Sequence, residues 1–147
     1  MKKMLSLMVA IIFLLIFLSG CQSKNVPNEI ELYMKQDTLS STGITLIAKN
    51  NSDFYFTYGA DYYIEKYENG TWLQLPDPED YAVITIAYLL LPDSTSEEIN
   101  LNWEWRYGKL SKGEYRIVKN FDKTETFEYN LDSIITSQNL YYNFTIE

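Results

Sequence analysis

Residues 62–75 read Tyr62-Tyr63-Ile64-Glu65-Lys66-Tyr67-Glu68-Asn69-Gly70-Thr71-Trp72-Leu73-Gln74-Leu75, two alternating runs joined by Asn-Gly. That dipeptide signals a two-residue β-hairpin, because both turn residues must take positive φ, which asparagine and glycine tolerate. The short loop also sets the register. Glu68 faces Thr71, Tyr67 faces Trp72, Lys66 faces Leu73, Glu65 faces Gln74 and Ile64 faces Leu75. Side chains alternate between the faces of a strand, so Ile64, Leu73 and Leu75 are expected in a core. Glu65, Gln74 and the Tyr67–Trp72 pair are expected on the other face.

Working outward from the hairpin, the chain continues to read as strands. Ile30, Leu32 and Met34 alternate with Glu31, Tyr33 and Lys35, and Ile44, Leu46 and Ala48 repeat the pattern beyond the Ser40-Ser41-Thr42-Gly43 break. Asn50-Asn51-Ser52-Asp53 supplies turn chemistry, and Phe54 to Tyr58 is a short aromatic strand ended by Gly59. After the hairpin, Pro76 and Pro78 break the sheet because neither can donate to a ladder. Val83 to Leu90 is nearly continuous apolar sequence, the mark of a strand covered on both faces. Ile99, Leu101, Trp103 and Trp105 alternate with Asn100, Asn102, Glu104 and Arg106, an amphipathic strand with its tryptophans inward. Strands are also expected from Glu114 to Lys119 and from Leu140 to Ile146. Between them, Asn120 to Asn139 is polar and reads as a hairpin extension or as a turn of helix near Leu131 to Thr136. About seven to nine short strands with turns between them and no long helical period predict an all-β, antiparallel β-sandwich.

The N-terminus has a different character. Lys2 and Lys3 precede an apolar run from Met4 to Leu18, which ends in Leu18-Ser19-Gly20-Cys21. A basic start, an apolar middle and small residues before a cut are the marks of a secretory signal peptide. The run is shorter than the ~20 apolar residues needed to span a bilayer. The Leu-Ser-Gly-Cys tetrad resembles the lipobox of bacterial lipoproteins, which implies cleavage between Gly20 and Cys21 and diacylation of Cys21. Two acyl chains anchor a protein stably where one does not. The organisation expected is a signal peptide over residues 1–20, a lipidated cysteine and tether over 21–28, and one β-sandwich domain over 29–147.

Composition narrows the chemistry. Losing Lys2 and Lys3 with the signal leaves 10 basic residues against 20 acidic ones, a net charge near −10. Such a surface repels phosphate backbones, so nucleic acid is not an expected partner. The chain has no histidine, which removes Ser-His-Asp and Cys-His nucleophile pairs and His-based metal sites. Its single cysteine, Cys21, leaves no disulfide. No cofactor, metal or catalytic residue is expected, and the chain does not read as an enzyme.

Five segments carry a resemblance. Gly43-Ile-Thr-Leu-Ile-Ala-Lys-Asn-Asn-Ser52, Phe56-Thr-Tyr-Gly59, Ile64-Glu-Lys-Tyr-Glu-Asn-Gly-Thr-Trp72, Trp103-Glu-Trp-Arg-Tyr-Gly108 and Gly113-Glu-Tyr-Arg-Ile-Val-Lys119 follow one another in order. Together they resemble a bacterial immunoglobulin-like domain of Gram-positive secreted proteins and lipoproteins, over roughly Glu29 to Glu147. The resemblance implies an immunoglobulin-like sandwich and carries over no catalytic residue. Pro92-Asp93-Ser94 and Lys112-Gly113 depart from the family's usual Pro-Gly turns. The Asn-Asn-Ser turn, the Asn-Gly hairpin with its tryptophan and the Gly-x-Tyr strand are also similar to a bacterial proteinase-inhibitor family.

Three candidate sites follow. Tyr67 and Trp72 are the candidate ligand surface, since the register sets them together and away from Ile64 and Leu75. Trp103 and Trp105 share a face with Ile99 and Leu101 and are assigned to the core. Asp77, Glu79 and Asp80 are read as solvated acids on a turn rather than as a calcium loop. The function expected is a bacterial surface lipoprotein, held to the membrane by a diacylglyceryl group on Cys21 at the extracellular face of the cytoplasmic membrane. Its domain would be a non-catalytic interaction module for a protein or cell-wall polymer. The alternative is an inhibitor or regulator of an extracytoplasmic protease or cell-wall hydrolase.

Overall fold

The computed structural model of the protein describes residues 28–127 and 133–147. Within them the chain runs β1 (Ile30–Met34), β2 (Gly43–Asn50), β3 (Tyr55–Gly59), β4 (Tyr63–Glu68), β5 (Thr71–Gln74), β6 (Ala87–Leu90), β7 (Ile99–Asn102), a single helical turn α1 (Glu104–Tyr107), β8 (Gly113–Thr124) and β9 (Ile134–Ile146). All pairings are antiparallel. They build a three-stranded sheet, β1-β2-β7, and a six-stranded one, β5-β4-β8-β3-β6 with β9 also on β8. None of the helices in these residues is long and apolar enough to cross a membrane; the run from Met4 to Leu18 and the Leu18-Ser19-Gly20-Cys21 tetrad lie outside the described residues.

The hairpin forms in the expected register, with Glu65 opposite Gln74 and Tyr67 opposite Trp72. Asn69 and Gly70 take φ of 52° and 84°. Ile64 is fully buried, and the Leu75 N–H donates to the Ile64 carbonyl at 2.8 Å, so the pairing continues to that residue. Leu73 departs from expectation: it is 50% exposed. It lies on the edge strand β5 opposite Lys66, where the smaller opposing sheet does not cover it.

β8 is the hub. One flank pairs with β9 from Gly113 to Thr124. The other flank pairs with β4 over Tyr115–Val118 and then with β3 over Asp122–Thr124. Continuing the β3 register would set Asp61 opposite Val118, yet Tyr63 stands there. Two extra residues therefore bulge out between β3 and β4. The buried Lys119 side chain fills this bulge from below, its Nζ donating to the carbonyls of Gly59 (2.6 Å) and Asp61 (3.0 Å).

The core lies between the sheets in two adjoining clusters. One gathers Leu46, Ile64, Leu101, Trp103, Ile117 and Phe144 among others; the second is built on Ile30, Ala48, Phe56, Tyr58, Leu90 and Phe121. β1 and β2 supply their alternating residues as the periodicity predicts.

Two further expectations are corrected, and an open one is decided. The strand expected over Val83–Leu90 is only Ala87–Leu90, paired on one side with β3. Val83, Ile84 and Ile86 are exposed, Ile84 by 70%, and the Ile86 N–H turns back to the Ile84 carbonyl instead of joining a ladder. The alternation through Trp105 also fails. β7 stops at Asn102, whose Oδ1 accepts the Glu104 N–H, and the next residues wind into α1. A helical step of about 100° per residue replaces the 180° step of a strand. Trp103 and Arg106 consequently point inward, while Trp105 is 66% exposed. Of the two readings of the stretch after Asn120, the hairpin extension holds: β8 runs on to Thr124 and β9 begins at Ile134. Ile134–Thr136 is strand rather than helix, and Leu131 lies outside the described residues.

Candidate functional site

The two residues of the candidate surface meet as expected. Tyr67 and Trp72 have ring centroids 5.0 Å apart, on the face of the six-stranded sheet that points away from the core. The tertiary fold adds two partners. Arg116 of β8 stands opposite Glu65, and its guanidinium carbon sits 4.5 Å from the Trp72 ring centre and 4.4 Å from that of Tyr141 on β9. Arg116 Nε donates to Glu65 Oε2, which holds the guanidinium in place between the two rings. The result is a ladder across four strands: Trp72 on β5, Tyr67 and Glu65 on β4, Arg116 on β8, Tyr141 on β9. Tyr67 and Tyr141 remain exposed.

Beside Trp72 lies a groove of about 240 Å³ lined by Trp72, Glu114, Asn143 and Thr145, with Tyr115 and Phe144 behind them. Flat ring faces next to a carboxylate, an amide and a hydroxyl can stack a ring-shaped ligand and hydrogen-bond its edge. Sequence reasoning missed Arg116 and Tyr141. Strand alternation alone turns Arg116 outward, but that β8 and β9 abut β4 is a long-range fact.

The acidic turn is engaged by an arginine. Arg106, reversed inward by α1, donates from Nε to Asp77 Oδ1 at 2.7 Å and from Nη1 to Asp61 Oδ1 at 3.1 Å. It also donates to the Tyr62 carbonyl. Its guanidinium carbon lies 3.6 Å from the Tyr81 ring centre, and the Tyr107 hydroxyl donates to Asp77 as well. The arginine hydrogen bond holds the Asp77 carboxyl below its ordinary range. Burial pushes the Tyr62 hydroxyl up to about 12 and raises Tyr81 and Tyr107 too. This cage ties the Pro76–Tyr81 connection to the domain. Glu79 and Asp80 do not converge with Asp77, and among the described residues no three acidic side chains form a cation site. Trp103 donates from Nε1 to the Ser41 carbonyl at 2.9 Å, a core role. Gly20 and Cys21 lie outside the described residues.

No curated protein and no solved structure matches the chain. A family model does, over residues 26–133, which includes β1 to β8 and stops one residue before β9, short of the span to Glu147 expected from the resemblance. With two antiparallel sheets and a match over most of its length, the chain belongs to the bacterial Ig-like domain family.

Proposed function

We propose that this protein is a lipid-anchored surface protein whose Ig-like domain is a non-catalytic module recognising a cell-wall glycan through the Tyr67–Trp72–Arg116–Tyr141 face. The observation that carries the reading is this ladder on the outer side of the sheet, where the core has no need of it. Aromatic faces suit the apolar side of a sugar ring, and the pinned guanidinium with Glu65 and Asn143 offers donors and acceptors for its hydroxyls. The net negative charge of the chain favours a neutral or cationic polymer over an anionic one. The anchor is the diacylglyceryl group expected on Cys21, and the place is the outer face of the cytoplasmic membrane.

Two measurements test it. Trp72→Ala and Tyr67→Ala should each weaken pull-down on purified peptidoglycan about tenfold, while unfolding free energy drops by no more than about 1 kcal/mol, the scale of a cross-strand aromatic pair. Unchanged pull-down removes the glycan reading. Globomycin, which blocks the lipoprotein signal peptidase, should make the uncleaved form accumulate; an unchanged mass removes the lipid anchor.

A further inference from the structure

A cavity of about 330 Å³ lies on the outer face of the six-stranded sheet, between β3 and β8 on one side and the stretch Val83–Ile86 that precedes β6 on the other. Strand alternation builds its floor. Phe56 and Tyr58 are buried in the second core cluster, so Thr57 between them points away from the core. Asp122 of β8 stands opposite Thr57, and Asn120 is two residues back on the same face of that strand. All three line the cavity, and Val83, Ile84 and Ile86 supply its apolar wall. The aromatic ladder is on the same face of the sheet, but Arg116 and Asp122 are six residues apart on β8, about 20 Å along a strand.

Two polar groups of this floor lack what their chemistry asks for. Thr57 is 3% exposed, and its hydroxyl is the one buried side-chain polar atom without a hydrogen-bond partner among the described residues. Leaving such a group unpaired costs stability. Asp122 accepts the Ser137 hydroxyl at 2.5 Å, but no lysine or arginine among the described residues pairs with it. Asp61, the other carboxylate at the cavity, is already engaged by Arg106 and by the Tyr81 hydroxyl. The ligand that completes this set brings positive charge to Asp122, an N–H donor to the Thr57 oxygen and an apolar body to the isoleucines. An anion would meet two carboxylates. A metal ion would find too few ligands, since among the described residues no three acidic side chains converge. The volume is at the lower end of the roughly 300–1,000 Å³ of small-molecule sites, which suits a short organic cation.

We infer that this cavity binds a primary alkylammonium group, with its N–H donors on the Asp122 carboxylate and the Thr57 hydroxyl oxygen and its alkyl stem against Val83, Ile84 and Ile86. A free small amine and a lysine side chain both present that group, a compact ammonium on an apolar stem. The site uses no residue of the Tyr67–Trp72–Arg116–Tyr141 face, so it stands or falls independently of glycan recognition there.

The test is a titration of the isotope-labelled full chain, purified in detergent, with butylammonium chloride, followed by its amide chemical shifts. The shifts of Thr57, Asn120 and Asp122 should saturate with a Kd on the order of 1 mM. Butanol, which has the same stem without the charge, should bind at least about tenfold more weakly. Asp122→Asn keeps the acceptor for Ser137 and should raise the Kd for butylammonium about tenfold. Thr57→Val should raise it about threefold and also raise the melting temperature, because a methyl group replaces an unpaired hydroxyl at nearly constant shape. Nα-acetyl-lysine amide is the second probe: affinity equal to or above that of butylammonium assigns the site to a lysine side chain, and lower affinity assigns it to a free amine. No saturable shift at these residues with either probe overturns the inference, as does equal affinity for butanol or a Kd indifferent to Asp122→Asn. A lower melting temperature in Thr57→Val also overturns it, because the hydroxyl would then have a structural partner.

Discussion

Trp103 and Trp105 stand two residues apart and have opposite fates. Trp103 is fully buried, with its indole N–H on the Ser41 carbonyl and its ring 5.6 Å from Phe144. Truncating such a side chain leaves a cavity as well as an unpaired acceptor, so Trp103→Ala should cost about 3–5 kcal/mol in urea unfolding. Trp105→Ala, on the surface, should stay within roughly 0.5 kcal/mol. Comparable losses in the two variants would contradict the helical turn that separates them. Lys119 offers a test by pH. It is 1% exposed, and burial lowers its pKa from an ordinary 10.5 to about 8. The unfolded chain therefore binds more protons between those values, and stability rises with pH across that interval. The half-buried tyrosines act in the opposite sense. Tyr62 is raised from 10.0 to about 12, so the unfolded state releases its proton first and stability falls above pH 10. Unfolding free energy should climb from pH 8 to pH 10 and then decline. Lys119→Met should abolish the climb and keep the decline; a climb that survives the substitution would assign it to another group.

At the scale of elements, local signals were reliable where local chemistry decides. The β4–β5 hairpin is one such case, since Asn69 and Gly70 fix its register through their own backbone angles. No heavy atom lies near the place a Gly70 side chain would occupy, so Gly70→Ala tests the backbone alone. The left-handed conformation disfavours a side chain by about 1–2 kcal/mol, and chemical denaturation should show a loss of that size. No loss would mean that the turn relaxes to another type. The β3–β4 connection is the contrary case. Ala60-Asp61-Tyr62 carries no strong turn signal, yet it forms the bulge that Lys119 and Arg106 hold from two sides. Both cations are distant in sequence, so no local pattern announces them. The apolar run Val83–Leu90 misled for the same reason: its composition suits a covered strand, but burial depends on what lies opposite, and the second core cluster covers Leu90 while Val83, Ile84 and Ile86 stay exposed.

At the scale of the molecule, β9 binds the domain together. It pairs along the whole of β8 and returns Phe144 and Ile146 to the core beside Trp103 and Tyr115, although it lies beyond the span matched by the family. A chain ended at residue 133 should therefore lose its cooperative thermal transition and its near-ultraviolet dichroism, because β8 would be left as a bare edge over an open core. A sharp transition in that truncated chain would make β9 an accessory strand. The candidate face divides along the same line as the fold. Tyr67 and Trp72 are legible because one two-residue turn sets them opposite each other; Arg116 and Tyr141 join them only when three strands distant in sequence come side by side. By itself the sequence determined the strand periodicity, the hairpin register and the all-β class, since alternation and turn chemistry act over a few residues. Only the tertiary structure decided which strands pair, where the two-residue bulge falls and which tryptophan is buried. Those outcomes depend on contacts between segments tens of residues apart, and they follow from the burial available when a three-stranded sheet meets a six-stranded one.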